Sequence, residues 1–555
     1  MQQILVSILL LAWPSALLHV LAFGRKSDYR SIRTSLIGGQ VILAGVLGIL
    51  SIIGLFSIAW IVGITAILVS GLALLLRKKK KGTFRFTKKD AIIILIALIY
   101  LLTLQQVSSP YSPDGIGQYI PWARDMAEEG GIIPATQSED VGYMYTPPLS
   151  FSYYGYAFLF TGADLDAPVG ISIFFSITTV FLIWSATRES RIRYAAPLAM
   201  LMLLSSFFFV KLGKMVLTEP AIIFFATAAL LNLQKYWKRG DRTSMTLMLA
   251  SSASYGLIKF TGLLFTALMV VAIILRERRK EYPKALSVAF LTHIPLIALL
   301  ARNTALYNNP VFPWFASVFP GAYNEAFAAT RTIGNLPEVS LLSFTLMTLA
   351  GFPAIILAAR NLIRTRQEAF SKMVILTYLV SLAAVTASQW PRVLPRYQMQ
   401  FYGFFAILAG VEAARLIRKT RLSGQTIKRS LTVIVILALI APPTAFVLAQ
   451  EGVVHSQYLS DHYGQQEQQK AKRVADIIQS RDPSAIVTGH HPELLEWYGL
   501  NHTGSISEEV DFIVQDTRIA EQNSPEPAET LAEEASRKSF IKISIVDGII
   551  IWGEE

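Results

Sequence analysis

Three charged residues lie where a long apolar stretch of the chain begins or ends. Asp114 follows the uncharged residues 91–107, within SSPYSPDGIGQYIPWARD. Glu219 opens the apolar part of KMVLTEPAIIFF, and Lys259 separates two apolar stretches in GLIKFTGLL. A positioned carboxylate can remove a proton from a hydroxyl group, and a fixed cation can stabilise charge on a departing phosphate. These residue types suit a reaction in which an anionic lipid headgroup docks and a hydroxyl group is deprotonated.

Each of these residues also has a purely structural interpretation. Glu219, followed by Pro220, could serve only as a favourable negative charge in the first turn of a helix. Lys259 could extend its ammonium group to the membrane surface, although an ionisable residue near membrane depth is more often functional. Asp114 suits an ordinary turn after proline.

Three arginines add positive charge to the same set of candidates. Arg302 lies in LLARNTALYNNPVFPWF, and Arg392 and Arg396 lie in SQWPRVLPRYQMQFYGFF. Anchoring at the membrane interface is the alternative explanation for them. Two carboxylates and several cations next to apolar segments nevertheless favour a reactive site over separate surface charges.

The elements that must hold these residues are membrane-spanning helices. Of the 555 residues, 53% are hydrophobic and 16% are charged, and uncharged stretches close to the roughly 20 residues that cross a bilayer recur through much of the chain. Because the chain has no cysteine, disulfides, thiolate metal sites and a cysteine nucleophile are excluded. We predict an all-α polytopic membrane protein with about 14 spans, at residues 3–22, 34–76 (two spans), 91–107, 168–186, 195–213, 220–236, 244–258, 261–275, 285–301, 340–359, 373–389, 400–417 and 430–449.

The distribution of basic residues predicts the orientation of these spans. If RKKKKGTFRFTKK is cytoplasmic, the loops on its side hold 34 lysines and arginines, and the opposite membrane loops hold 8. Because cytoplasmic loops carry the excess of positive charge, we expect Asp114, Glu219 and Lys259 on the extracytoplasmic face. Basic charge in such a chain reflects topology, so no nucleic-acid partner is expected.

The chain divides by composition into three parts. Residues 1–90 hold three additional N-terminal spans and the basic cytoplasmic loop, and residues 91–450 hold the remaining spans. Two long exterior loops, 108–150 and 302–339, are rich in proline, glycine and aromatic residues, and structured loops of this length are more often functional than simple connectors. Residues 451–555 have the composition of a small exterior α/β domain.

The C-terminal part alternates between helix and strand patterns. QQEQQKAKRVADIIQSRD and HPELLEWYGL are typical of helices, whereas SAIVTG, VDFIVQD and IKISIVDGIIIW are typical of strands. The adjacent histidines of GHHPE point different ways on a strand and have no third ligand at zinc spacing, so no metal site is predicted there.

Taken in order, these segments resemble the GT-C superfamily of membrane glycosyltransferases, in the branch of protein O-mannosyltransferases and lipid A aminoarabinose transferases. That family's first exterior loop carries an aspartate and then a tyrosine, matched here by Asp114 and Tyr119. The loop ends in a Lys-Pro-Pro-Leu box, matched here by YTPPLSF, in which Thr146 replaces the lysine. VLTEPAIIFF resembles its second acidic motif, SYGLIKFTGLL its Gly-Leu-x-x-Lys hairpin, RNTALYNNPVFPWF its Arg…Asn-Pro loop, and PRYQMQFYGFF its Arg-Tyr segment. The likeness covers most of residues 91–500.

The resemblance implies an inverting glycosyltransferase that moves a sugar from dolichyl or undecaprenyl phosphate to an acceptor hydroxyl group at the extracytoplasmic face. Its partners would be membrane lipid, the polyprenyl-phosphate-linked sugar, and an acceptor that is a protein, a glycan or a lipid. No cofactor is firmly implied, and a divalent cation remains open. The resemblance assigns residues to three roles: catalysis to Asp114 and Glu219, donor phosphate binding to Lys259, Arg302, Arg396 and Arg392, and substrate binding to Tyr119, Tyr145 and Tyr397.

Three other functions remain as alternatives. An oligosaccharyltransferase of the same superfamily is one, although the C-terminal part has no Trp-Trp-Asp motif. A membrane transporter would place its ionisable residues near the midplane and show two similar halves, which this sequence does not. A non-catalytic scaffold would not need acids and bases gathered beside two ordered loops.

Overall fold

The computed structural model describes most of the N-terminal and central helices and much of a C-terminal sheet. The described residues are 2–24, 28–77, 119–132, 147–162, 164–204, 215–311, 355–364, 368–389, 399–419, 465–489, 501–502, 510–516, 540–546 and 549–553, with single residues or pairs at 206, 209, 212–213, 320, 535–536 and 538. By contacts the chain forms two compact units, one of residues 1–108 and 122–460 and the other of residues 109–121 and 461–555.

Helices make up most of the described part of the first unit. They are α1 (Gln2–Phe23), α2 (Tyr29–Ile52), α3 (Ile58–Arg77), α4 (Ile120–Glu129), α5 (Leu149–Thr161), α6 (Asp166–Arg188), α7 (Ala195–Leu204), α8 (Glu219–Arg239), α9 (Arg242–Ile258), α10 (Thr261–Arg276), α11 (Tyr282–Tyr307), α12 (Glu368–Gln389) and α13 (Tyr402–Lys419).

The chain is a multi-pass membrane protein. Within the described residues, six helices are long and apolar enough to cross a bilayer: α1, α2, α3, α6, α13, and α11 with the short 3₁₀ turn before it. The predicted spans 91–107 and 430–449 lie outside the described residues, so the number of fourteen remains a prediction. One predicted span ends early, because α7 stops at Leu204 and not near residue 213.

The central helix of the described bundle is α8. Every residue from Glu219 to Leu233 is buried, and α8 packs against α9, α6 and α13. A helix that is apolar on all sides is stable only when protein surrounds it. Its aromatic residues meet those of α6, with Phe175 lying 5.5 Å from Phe224 and 5.8 Å from Phe225 between ring centroids. The residue that opens α8 is therefore held in a rigid position.

The hairpin of α9 and α10 turns over two residues, Lys259 and Phe260, and depends on a glycine contact. A methyl group at Gly262 would lie 2.5 Å from the backbone nitrogen of Gly256, closer than real side chains approach. The hydroxyl group of Thr266 donates to the Ser252 carbonyl oxygen at 2.8 Å and joins the two helices one turn further on. Small residues at a helix contact allow two backbones to approach this closely.

We expect Gly262→Ala to lower the free energy of unfolding by about 1–3 kcal/mol, because the added methyl group must force the two helices apart. The matched control is Gly71→Ala in α3, where an added methyl group has nothing within 4 Å and alanine favours the helix. Thermal unfolding of both variants in the same detergent measures the difference. Equal stability of the two would contradict the close packing.

The second unit contains a five-stranded sheet, which confirms the predicted C-terminal α/β fold. Helix α14 (Gln465–Arg481) packs on strands of this sheet, and its buried residues Val474, Ala475 and Ile478 share one face. The strands are β1 (Ile486–Gly489), β2 (Asn501–His502), β3 (Phe512–Asp516), β4 (Ile541–Val546) and β5 (Ile549–Gly553), in the order β2-β1-β3-β5-β4.

The pairing directions in this sheet follow from the connections between its strands. β1 is parallel to β2 and β3, and parallel neighbours need a crossover connection. β5 is antiparallel to β3 and β4, because only two residues join β4 to β5. The predicted helix HPELLEWYGL falls between β1 and β2 but lies outside the described residues.

Candidate active site

Lys259 lies in the turn between α9 and α10, directly after the last residue of α9. Its backbone is extended, with φ −151° and ψ 136°. Its N–H group donates to the Tyr255 carbonyl oxygen at 3.0 Å, and its carbonyl oxygen accepts from Gly262 N at 2.8 Å. Both backbone hydrogen-bonding groups of Lys259 are thus satisfied within the hairpin, which fixes the position from which its side chain extends.

Glu219 is positioned by the start of α8 and by the irregular segment before it. Residues 215–218 are not helical, and the Tyr154 hydroxyl group donates to the buried carbonyl oxygen of Leu217 at 2.9 Å. Pro220 follows at a first-turn position, where its missing N–H group costs nothing. One carboxylate oxygen of Glu219 lies 3.5 Å from the Thr218 hydroxyl group.

The two predicted site residues of opposite charge meet in the structure. Lys259 Nζ lies 3.4 Å from Glu219 Oε1, and the exposed fractions of the two side chains are 25% and 5%. A charge-assisted hydrogen bond is usually 2.7–2.9 Å long, so the pair is a loose one. The ammonium group can therefore approach a second anion without losing its attraction to Glu219.

A small pocket opens beside this ion pair. It is lined by Glu219, Ile222, Ile223, Lys259, Thr261, Met399 and Gln400. The Tyr255 hydroxyl group bonds with Thr261 Oγ1 at 3.0 Å and donates to Gln400 Oε1. These bonds tie the turn of the hairpin to the segment that precedes α13, and they form the polar wall of the pocket.

We expect Tyr255→Phe to weaken this wall. The variant removes the donor that serves the buried side-chain carbonyl oxygen of Gln400, which costs about 1–3 kcal/mol of folding free energy, and it unties the turn of the hairpin from the segment that precedes α13. The measurement is thermal unfolding together with the apparent affinity for a lipid-linked sugar. The matched control is Tyr378→Phe, whose ring packs on Phe401 at 5.3 Å. If both variants lose stability and affinity equally, the hydroxyl bonds do not organise the pocket.

The Glu219–Lys259 ion pair lies at the opposite end of α8 and α9 from the basic residues of these two helices. Arg239 ends α8, and Arg242 begins α9 and pairs with Glu281 at 3.2 Å. The 17 residues of α9 span about 25 Å, so Lys259 and Arg242 are separated by nearly the thickness of a bilayer core.

Of the remaining predicted site residues, the structure describes Arg302 and Tyr119. Arg302 lies near the end of α11, half-buried, and its Nη1 atom lies 3.5 Å from Asn303 Oδ1, its chain neighbour. Tyr119 is half-buried and directly precedes α4. Asp114, Tyr145, Arg392, Arg396 and Tyr397 lie outside the described residues, so their roles remain predictions.

Sequence reasoning missed three residues that line or support the pocket: Tyr255, Thr261 and Gln400. All of them lie in segments that the sequence singled out, SYGLIKFTGLL and PRYQMQFYGFF. Tyr255 lies in the last turn of α9, directly before the lysine that the sequence singled out, and this proximity along the chain is the signal that could have identified it. No comparable signal connects Gln400 to Tyr255, because the two are 145 residues apart.

No group of three or more histidine, aspartate or glutamate residues close enough to hold a metal ion occurs within the described part of the chain. The positive charge that the described part of the pocket offers comes from Lys259.

Comparison with known proteins supports the resemblance. Residues 169–319, which include Glu219, Lys259 and Arg302, match the family model described as dolichyl-phosphate-mannose-protein mannosyltransferase. No curated protein sequence matches the chain at a significant level.

Two similar solved structures are those of ArnT from Cupriavidus metallidurans, one bound to undecaprenyl phosphate and one in the apo state. Both align with a TM-score of 0.54 at 14% identity. The first covers 84% of this chain and 98% of ArnT, and the second covers 83% and 97%. The likeness to the GT-C fold is therefore confirmed over nearly the whole length of ArnT. Together with the family model it supports the predicted class of enzyme, a glycosyltransferase that uses a lipid-linked sugar.

Proposed function

We propose that the chain is an inverting glycosyltransferase that moves a sugar from a polyprenyl phosphate to an acceptor hydroxyl group at the extracytoplasmic face of the membrane. The observation that carries the proposal is the Glu219–Lys259 pair, which lies beside a pocket at one end of the bundle. The matching family is named for a dolichyl-phosphate-linked donor, and the similar ArnT structure holds undecaprenyl phosphate.

Lys259 is proposed to bind the donor phosphate. A sugar linked to polyprenyl phosphate is a phosphodiester with one negative charge, and its leaving group is a phosphomonoester with nearly two. An ammonium group beside that phosphate therefore gains attraction as the bond breaks, which is the condition for lowering the barrier. The apolar end of the donor stays in the lipid, where the outward faces of the helices are apolar.

Glu219 is proposed to act through Lys259 and through the sugar. Its carboxylate oxygen accepts a hydrogen bond from the ammonium group at 3.4 Å and so orients it beside the pocket. A carboxylate next to a phosphate is repulsive, so we place the sugar hydroxyl groups, and not the phosphate, against Glu219. Arg302, Arg392 and Arg396 are proposed as further phosphate contacts, and Tyr119, Tyr145 and Tyr397 as contacts to the substrates.

Asp114 is proposed as the general base. It removes the proton from the acceptor hydroxyl group, the acceptor oxygen attacks the anomeric carbon, and the bond from that carbon to the phosphate oxygen breaks. The polyprenyl phosphate leaves with the electron pair. Because attack comes from the side opposite the leaving group, the configuration at the anomeric carbon is inverted.

The proposal is tested with the purified protein in sealed liposomes. Candidate donors are radiolabelled hexoses and pentoses on dolichyl or undecaprenyl phosphate and a pyrophosphate-linked oligosaccharide, offered with protein, glycan and lipid acceptors, with and without EDTA. Transfer from one of these donors with release of polyprenyl phosphate is the expected result. Transfer only from a pyrophosphate-linked oligosaccharide would support an oligosaccharyltransferase instead, and sugar flux without transfer would support a transporter.

We expect single cysteines at the two ends of the bundle to react on opposite sides of the membrane. The chain contains no cysteine, so each introduced thiol is the only one. Asp164→Cys lies just before α6, at the end where Glu219 begins α8, and Lys280→Cys lies beyond α10 at the basic end. A membrane-impermeant maleimide added to intact cells should label only Asp164→Cys. Labelling of Lys280→Cys alone would reverse the proposed orientation.

A further inference from the structure

We propose that a basic cluster between α2, α6 and α8 binds a phosphate group. The cluster consists of Arg30, Arg33 and Lys235, which surround the carboxylate of Glu189. The cluster lies at the opposite end of the bundle from the Glu219–Lys259 pair. Lys235 follows Glu219 by 16 positions on α8, a distance of about 24 Å along the helix. The proposed site is therefore separate from the proposed reaction.

The strongest indication is a buried guanidinium group with an unused donor. Arg33 is 1% exposed, and its Nη2 atom donates to Glu189 Oε1 at 2.5 Å. Its Nη1 atom is buried and has no hydrogen-bond partner among the described residues. A buried charged donor without an acceptor destabilises the folded protein. An anion bound at this position would accept the hydrogen bond from Arg33 Nη1.

The cluster also has more positive than negative charge. Arg30 Nε lies 3.1 Å from the same carboxylate oxygen of Glu189 that Arg33 binds. Burial alone would raise the pKa of Glu189, but the charges of Arg33, Lys235 and Arg30 outweigh burial and lower it. The two arginines, whose guanidinium groups are always charged, thus share one carboxylate. The other nearby acid, Asp28, caps α2 by accepting from Ser31 N at 2.6 Å.

Phosphate is the anion that fits this arrangement. Guanidinium groups present planar, paired donors that match phosphate oxygens, and they do so at lower hydration cost than an ammonium group. Basic pockets between membrane helices at the cytoplasmic side are suited to lipid headgroups. The phosphate could belong to an anionic phospholipid or be free in solution, and the two sources are separated by experiment.

The test uses the full-length protein in phosphatidylcholine nanodiscs. Its unfolding temperature is measured with added inorganic phosphate, and again in nanodiscs that contain phosphatidylglycerol. A ligand that binds the folded protein raises that temperature. A rise with phosphatidylglycerol alone identifies a headgroup, and a rise with inorganic phosphate identifies a site for free phosphate. No rise with either overturns the proposal.

Variants connect any such effect to the cluster. Arg30→Gln and Arg33→Gln should weaken the dependence on phosphate or anionic lipid by about tenfold each, the effect of losing one charged hydrogen bond. Arg30 is half exposed, so its variant should fold even if that of the buried Arg33 does not. Arg242→Gln, at the same end but paired with Glu281, is the control and should bind as the wild type does.

For Glu189→Gln we expect a stronger response to phosphate, the opposite of the change expected for the arginine variants. It removes the only competing carboxylate described for the two arginines, so it should destabilise the protein in neutral lipid and strengthen its response to phosphate. A purely structural ion pair would lose stability equally with and without phosphate. That outcome, or equal responses of the wild type, Arg30→Gln and Arg242→Gln, would overturn the proposal.

Discussion

Asp114→Asn is expected to reduce sugar transfer by about 10²- to 10⁴-fold, the usual contribution of a positioned general base. Asparagine has nearly the same shape and can keep a hydrogen bond to the acceptor hydroxyl group, but it cannot accept the proton. Donor binding should therefore be unchanged. The measurement is the initial rate of transfer at saturating donor, together with a separate equilibrium assay of donor binding.

A second aspartate of the same predicted loop provides the control for that experiment. Asp125 lies in α4 and pairs with Arg124 at 3.3 Å, and Asp125→Asn should keep nearly full activity. Burial raises the pKa of Asp125, and the charge of Arg124 opposes this effect. Equal rates for Asp114→Asn and Asp125→Asn would remove Asp114 from the mechanism.

Lys259→Met is expected to reduce transfer by about 10²- to 10³-fold, because it removes a fixed cation from the breaking phosphate bond. Methionine keeps most of the length and apolar volume of the side chain. The loss should be largest in the turnover rate and smaller in the donor concentration required, since the attraction grows as the phosphate departs. Initial rates over a range of donor concentrations separate the two parameters.

The contact between Lys259 and Glu219 makes their substitutions interdependent. Lys259→Met removes the ammonium group from beside the carboxylate of Glu219, which is 5% exposed, and taking away the opposite charge of a buried ion pair is strongly destabilising. Adding Glu219→Gln removes that charge, so the double variant should regain part of the lost stability but no activity. Additive losses of stability would show that the two groups do not interact in the folded protein.

The sequence predicted the positions of several spans closely, because a bilayer imposes a length and an apolar composition on every helix that crosses it. The predictions 3–22 and 168–186 correspond to α1 and α6 within a few residues. The early end of α7 was not predictable in this way, because the following residues are apolar as well. Composition alone does not tell whether a long apolar stretch continues as a helix. Near residues 215–218 it does not, and there the hydroxyl group of Tyr154, from α5, donates to the Leu217 carbonyl oxygen.

The individual charges of the candidate site were equally visible in the sequence. An acid before a proline at a helix start and a lysine between two apolar stretches stand out because charge is costly beside lipid. Their order along the chain led to the GT-C family, and the likeness to ArnT now confirms that fold.

Only the tertiary structure decided which of these charges meet. Glu219 and Lys259 are 40 residues apart and in contact, and Gln400 joins them from 145 residues beyond Tyr255. The sequence by itself determined which residues must lie at helix ends, because hydrophobic burial is set locally along the chain. It did not determine the packing of α8 against α9 and α13, and this packing forms the pocket. Such packing depends on side-chain shape and on glycine contacts between segments that are distant in the sequence.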